Sequence, residues 1–198
     1  MSLNLDFYRI SNYFLLTLSI LFSSALFAQE RGEQLYEENL EASRYISSFQ
    51  MDCRQATPVC RERSSALRAE ETFNRYMEVV FERQVDAWPN NEFASVEDAF
   101  FMRQDGDYSF EGSFFGDAKI AYDQASEILD DILSSADKQV EDLLAEGERY
   151  LYREEKPDWA ESYFREALPY DPENERIKRG IARIEFLLNF ESNKIFIE

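Results

Sequence analysis

Apolar side chains recur at helical spacing along most of this chain, and few helix-breaking residues interrupt them. Only 6 glycines and 5 prolines occur among 198 residues, which favours long helices over many short strands. The clearest example is 117–134, whose apolar face consists of Ile120, Ala121, Ala125, Ile128, Leu129 and Ile132. The pattern predicts an all-α fold in which consecutive helices form antiparallel hairpins.

Breaks in the apolar spacing divide the chain into successive elements. The helices that we expect are 31–50, 61–88, 117–134, 137–153, 158–168 and 173–189, with a short apolar piece at 96–102. Residues 104–116 hold three of the six glycines and four aromatic side chains. We expect a loop or a broken helix there, which either packs onto the helices or contacts a partner.

Residues 1–28 have the three-part pattern of a secretory signal peptide. Arg9 precedes an apolar stretch at 10–27, and small residues lead to Ala28 before the sequence turns polar. We therefore expect cleavage near Ala28 and export of 29–198 to a periplasmic or other extracytoplasmic compartment, away from the membrane. The alternative is an uncleaved membrane anchor, since this stretch is just long enough to span a bilayer.

Two cysteines, Cys53 and Cys60, enclose six residues. Redox-active pairs usually enclose two residues, and a zinc site needs more ligands than this chain offers. A structural disulfide suits an oxidising compartment and would stabilise the fold by roughly 2–3 kcal/mol through loop closure. Two free buried thiols are the alternative. The disulfide would join two helices of an N-terminal hairpin region at 29–104.

The charge balance restricts the partners. Acidic residues outnumber basic ones 40 to 21, and the net charge is −19. Nucleic acids and anionic lipids require clustered lysine and arginine, so neither is an expected partner. The acidity either keeps a solvated surface soluble or attracts a basic partner.

The chain contains no histidine, which removes the commonest general base and the commonest metal ligand. Asp105-Gly106-Asp107 lacks the later glycine and glutamate of a calcium loop. We predict no catalysis, metal or cofactor. The remaining enzyme alternative is a carboxylate pair that cleaves cell-wall glycan.

A sparse pattern of small and large residues runs through 140–172. Its members are Leu143, Gly147, Tyr150, Ala160, Phe164, Ala167 and Pro172. With this pattern the segment resembles one tetratricopeptide repeat, a helix–turn–helix whose small residues let the helices approach closely. The helix 173–189 would then be either a capping helix or half of a further repeat. A fainter copy at Ala118, Tyr122 and Ala125 extends the resemblance upstream, giving a helical domain over 105–198.

The resemblance implies a module that binds a protein or peptide in a groove along the first helix of the repeat. The groove residues left free by the packing pattern are Glu141, Leu144, Glu148, Leu151 and Tyr152. Because two of them are glutamates, we expect a partner with basic and apolar character rather than a carboxylate. The alternative is a structural subunit of an envelope-spanning assembly or motility complex, with the apolar segment 195–197 at its edge.

Overall fold

A computed structural model describes residues 30–49, 53, 57–89 and 92–194. In these ranges the structure is helical and contains no strand, which confirms the predicted all-α class. The helices are α1 (30–48), α2 (Pro58–Glu82), α3 (Phe93–Glu111), α4 (Phe115–Tyr152), α5 (Pro157–Ala167) and α6 (Glu175–Lys194), with a 3-10 turn at Val85–Ala87. The predicted signal peptide at 1–28 and the apolar segment 195–197 lie outside the described residues. None of the described helices has the length and apolar character needed to cross a membrane.

Helices α1 and α2 form the expected antiparallel hairpin. Tyr36 of α1 stacks on Phe81 near the end of α2, with ring centroids 4.3 Å apart. Pro58 opens α2, where its missing N–H costs no hydrogen bond, and the side chain of Thr57 accepts a hydrogen bond from the backbone of Cys60. Cys53 and Cys60 lie at disulfide distance, with Cα atoms 5.7 Å apart.

Helix α4 is continuous over 38 residues. The prediction of two helices at 117–134 and 137–153 is therefore wrong. No glycine or proline separates them, and the buried face continues through the junction at Leu133, Ala136 and Val140. A helix whose apolar stripe is uninterrupted has no reason to end there.

Of the loop or broken helix expected at 104–116, the structure has the broken helix, because α3 continues to Glu111 and a three-residue turn separates it from α4. Gly106 is part of the reason. A Cβ at this position would lie 2.5 Å from the ring of Tyr122, so glycine allows α3 and α4 to approach closely. The helix-breaking tendency of Gly106 is offset by this contact.

Among the described helices, α2, α3, α5 and α6 pack on α4. Helix α4 is antiparallel to α3 across the short turn at 112–114, and it is parallel to α2, because Ala66 clusters with Ala118 and Arg83 pairs with Asp137 further along both helices. Two apolar clusters result, one near the α3–α4 turn and a larger one that continues through α5 and α6. The larger cluster includes residues from α2 and α3 as well as α5 and α6. The domain boundary expected at 104/105 falls inside α3, and the core continues across it.

The end of α4 packs with α5 and α6 around one aromatic ring. Phe164 of α5 is buried between Gly147 of α4 and Gly180 of α6, where added Cβ atoms would come within 3.0 Å and 2.4 Å of the ring. Ala160 and Ala167 are fully buried on the same face of α5. Small residues on both neighbouring helices thus form the space that the ring fills.

We predict that Gly180→Ala lowers the free energy of unfolding by about 1–3 kcal/mol, because overpacking at Phe164 outweighs the gain in helix propensity. Urea denaturation of residues 29–198 measures it. The control is Gly116→Ala, where an added Cβ meets nothing within 4 Å and stability should not fall. Equal effects of the two substitutions would contradict the packing argument.

Candidate functional site

A groove runs between the C-terminal half of α4 and helix α6. Arg176, at the start of α6, binds Glu141 and Glu148 of α4. Further along both helices, Leu187 of α6 lines the same cleft as Leu151 of α4. The order of these contacts shows that the two helices run parallel, with α5 packed against both.

Ion pairs close one end of this groove. The guanidinium of Arg176 donates to Glu141 Oε2 over 2.8 Å and to Glu148 Oε1 over 3.1 Å. These hydrogen bonds, with the one to Glu148 as the largest cause, raise the pKa of Arg176. Both predicted groove glutamates therefore have a cationic partner within the chain.

The other end of the groove is an open cleft of about 380 Å³. Its lining consists of Leu151, Tyr152, Glu155, Pro157, Arg183 and Leu187. Tyr152 is 63% exposed at the rim. Glu155 has a φ of 53°, in the left-handed region that side chains other than glycine seldom adopt. The cleft has an apolar floor, and an aromatic ring and two charged side chains lie at its edge. Ligand sites commonly combine these features.

The structure separates the five predicted groove residues into three environments. Glu141 and Glu148 lie at the closed end, while Leu151 and Tyr152 belong to the open cleft. Leu144 is fully buried in the core of the chain itself, so its side chain is not accessible to a partner. Sequence spacing places all five on α4, but it does not tell which part of that surface α5 and α6 cover.

The residues predicted for repeat packing lie at the contacts of α4, α5 and α6. Gly147, Ala160, Phe164 and Ala167 are buried, and Leu143, Tyr150 and Pro172 are half-buried. The Tyr150 ring also stacks with two rings of α5, those of Trp159 and Tyr163, at centroid distances of 5.8 Å and 5.5 Å. Trp159 is 61% exposed.

Exposed aromatic side chains also mark the corner between α3 and α4. Tyr108 and Phe114 are 73% and 65% exposed, and Phe101 lies two turns before Tyr108 on α3. The predicted aromatic segment is therefore helical, yet it still presents rings to solvent. One turn of helix advances 5.4 Å, so this corner lies about 55 Å along α4 from the open cleft.

A second, smaller cleft of about 170 Å³ lies where α1 meets the end of α2. Glu33, Glu82 and Asp86 contribute to its lining. Burial, the largest cause, raises the pKa of Asp86. This cleft contains none of the residues predicted for the groove.

A cluster of buried polar side chains joins α1, α2, α3 and α4. Arg103 of α3 is fully buried and forms ion pairs with Asp107 at 2.8 Å and Glu70 at 3.5 Å. Tyr122 of α4 donates its hydroxyl to Asp107 over 2.8 Å. Asn74 of α2 donates to Glu70 over 2.8 Å, and the hydrogen bonds continue from Asn74 to Asn39 and Ser43 of α1. We call these residues the polar layer, since they lie between the two apolar clusters.

Burial changes the ionisation of the polar layer. Desolvation raises the pKa of Asp107 to about 6, assisted by the charges of Glu70 and Glu111 and opposed by Arg103 and the hydrogen bond from Tyr122. The pKa of Tyr122 is also raised, first by burial and then by Asp107. Because Arg103 and Glu70 are almost inaccessible to solvent, we assign the polar layer to folding rather than to substrate binding.

Sequence reasoning missed two features of these sites. It assigned 173–189 to a capping helix or half of a repeat and overlooked Arg176, Arg183 and Leu187, although their spacing places them on one face of a helix. It also missed the polar layer, whose signal was a pair of charges at Arg103 and Asp107 four residues apart. The expectation of a loop or a broken helix at 104–116 gave no reason to pair these charges on one helix.

Among the described residues, no group of three or more acidic or cysteine side chains could hold a metal ion. Comparisons of the chain with protein-family models, with curated proteins and with solved structures found no match. The geometry of the groove is therefore the basis for the functional argument.

We predict that Arg103→Met lowers the free energy of unfolding by about 3–5 kcal/mol, because it leaves buried carboxylates without their cation. Chemical denaturation followed by circular dichroism measures the effect. Lys119→Met is the control, since Lys119 pairs with Asp123 on the exposed face of α4 and such pairs contribute little. A loss at Arg103 no larger than at Lys119 would contradict the structural role of the polar layer.

The polar layer also predicts a pH dependence. The raised pKa of Asp107 means that the folded chain holds this proton more tightly than the unfolded chain does. Its contribution to stability is full below about pH 4 and is lost as pH rises through about 6. Relative to Asp107→Asn, the parent should lose about 1–2 kcal/mol between pH 4.5 and 7.5. Parallel stability profiles of the two proteins would show that Asp107 titrates normally.

Proposed function

We propose that this protein is an exported, non-catalytic module of tetratricopeptide type that binds a segment of a partner protein between α4 and α6. The observation that carries the proposal is the open end of the groove. An apolar floor, an exposed aromatic ring and charged edges lie together there, and this composition suits recognition of a peptide. Export is supported by the pattern of residues 1–28, which lie outside the described part of the chain.

The arrangement of the last three helices supports the repeat assignment. The end of α4, a short turn and α5 form a helix–turn–helix, and α6 then runs parallel to α4. In repeats of this type, the first helix of each unit lies beside the first helix of the next, and the two together line the binding groove. Phe164 between Gly147 and Gly180 is the kind of close contact that this stacking requires.

The exposed aromatic corner favours one alternative, a structural subunit with two contact surfaces. Tyr108 and Phe114 lie at the opposite end of α4 from the cleft. A subunit within a larger assembly would use both ends, whereas an adaptor that holds a single peptide needs only the groove. The two proposals therefore differ in the number of surfaces that contact other proteins.

Photo-crosslinking in cells distinguishes them. A photoreactive phenylalanine analogue replaces Tyr152 in the cleft, Tyr108 at the corner, or Tyr45 on α1, all of which are exposed. We expect a discrete adduct from position 152 in the extracytoplasmic fraction, because the ring lies at the rim of the groove. Mass spectrometry of the adduct identifies the partner peptide and the residue crosslinked.

The pattern across the three positions decides the outcome. An adduct from 152 alone supports the binding module, while adducts from both 152 and 108 support the subunit. Adducts of equal yield from all three positions indicate nonspecific contact and reject both proposals. The absence of any discrete adduct from 152 rejects the groove.

A further inference from the structure

Two charged side chains at the open end of the groove form no ion pair within the described part of the chain. Glu155, in the turn between α4 and α5, and Arg183, on α6, both line the cleft of about 380 Å³. Lys156, the cation next to Glu155 in the chain, pairs with Glu154 instead. Arg183 lies over the ring of Phe186, 5.4 Å from its centroid. The cleft therefore offers one carboxylate and one guanidinium to an occupant.

The charges in and beside the cleft balance each other. Its lining carries one charge of each sign, and Arg153 and Asp158, which flank the lining residues of the turn, add another of each. The two lining charges belong to different elements, because the carboxylate lies in the α4–α5 turn and the guanidinium lies on α6. The apolar floor has a contribution from each side, Leu151 of α4 and Leu187 of α6.

An occupant that covers this cleft removes water from both charged groups. A carboxylate or a guanidinium that loses water without gaining an opposite charge costs free energy. An occupant with acidic groups alone would leave Glu155 unpaired and repelled, and an occupant with basic groups alone would do the same to Arg183. The lining thus favours an occupant with one charge of each sign over an apolar occupant or one with charges of a single sign.

We infer that the segment bound in the cleft carries an acidic and a basic side chain on either side of an apolar one. This chemistry rests on the proposed binding function and specifies its ligand. The basic group pairs with Glu155, the acidic group pairs with Arg183, and the apolar side chain lies against the floor. Because the two charges of the cleft belong to different elements, the same pairs fix the direction of the segment between α4 and α6.

The expected partner differs in one respect from the partner that the sequence predicts. Glu141 and Glu148 suggested basic and apolar character, but in the fold both contact Arg176 at the closed end. At the open end, Glu155 supplies a carboxylate for a basic group, and Arg183 adds the requirement for an acidic group. The segment therefore needs both charges, in a fixed order.

The test begins with a selection of phage-displayed random dodecapeptides on residues 29–198. We expect the parent to enrich peptides in which leucine, isoleucine or phenylalanine lies between a lysine or arginine and an aspartate or glutamate. A synthetic peptide of the enriched sequence is then the probe, and calorimetry measures its affinity for the parent and for each variant. Circular dichroism checks the fold of each variant.

Single charge reversals test the two contacts. Glu155→Lys and Arg183→Glu each leave the cleft with two charges of one sign, and each should weaken binding of the probe at least tenfold. Glu166→Lys and Arg179→Glu are the matched controls, because both residues are exposed, do not line the cleft and undergo the same change of charge. The affinities of the controls should stay within about threefold of the parent's.

The double variant tests the direction of the segment. Glu155→Lys combined with Arg183→Glu keeps the net charge of the parent and exchanges the two charges of the cleft. It should bind the probe at least tenfold more weakly than the parent does. A second peptide, in which the acidic and basic residues of the probe are exchanged, should bind the double variant within about threefold of the affinity of the parent for the probe.

Other outcomes overturn the inference in distinguishable ways. Enrichment of uncharged peptides, or of peptides with charges of one sign, rejects the dipolar ligand but leaves a peptide-binding module. A probe that binds the cleft variants and their controls equally rejects Glu155 and Arg183 as its contacts. Failure of the folded parent to enrich any peptide rejects both the inference and the proposed binding function, and binding of free leucine in that case assigns the cleft to a single amino acid.

Discussion

The continuous buried face of α4 is the constraint on which the rest of the structure depends. Helices α2, α3, α5 and α6 all pack against this one element, and its side chains belong to both apolar clusters. A helix of 38 residues is about 57 Å long, far longer than an isolated helical hairpin requires. Burial along its whole length joins the N-terminal hairpin to the repeat-like end, so the position of α6 beside α4 depends on a core that begins at α2.

The polar layer adds specificity to that core. Apolar side chains alone would let α3 slide along α4 with modest loss of contact, since methyl and methylene groups are interchangeable partners. A buried guanidinium with two carboxylates and a tyrosine hydroxyl tolerates one alignment, because any shift leaves a charge without a partner. Gly106 opposite Tyr122 requires the same alignment, and together they hold α3 against the first half of α4.

The binding proposal depends on which charges this packing leaves open. Glu148 and Arg176 are 28 residues apart in the chain but share hydrogen bonds in the fold. Their pairing offsets part of the acidic character that the sequence suggested for the groove, and the open cleft is lined by one charge of each sign, Glu155 and Arg183. The fold, and not the composition alone, thus decides which charges a partner meets in the groove.

The sequence by itself determined the helical class, the α1–α2 hairpin and the proximity of Cys53 to Cys60, because apolar periodicity, the helix-opening Pro58 and a short cysteine spacing act over a few residues. Most of the packing residues, such as Phe164 and Ala160, were also recognisable from their spacing. Only the tertiary structure decided that Leu144 is buried, that α3 extends to Glu111 and that Arg176 pairs with two glutamates. Those outcomes depend on helices that are distant in the chain and adjacent in space, and local periodicity carries no information about which faces meet.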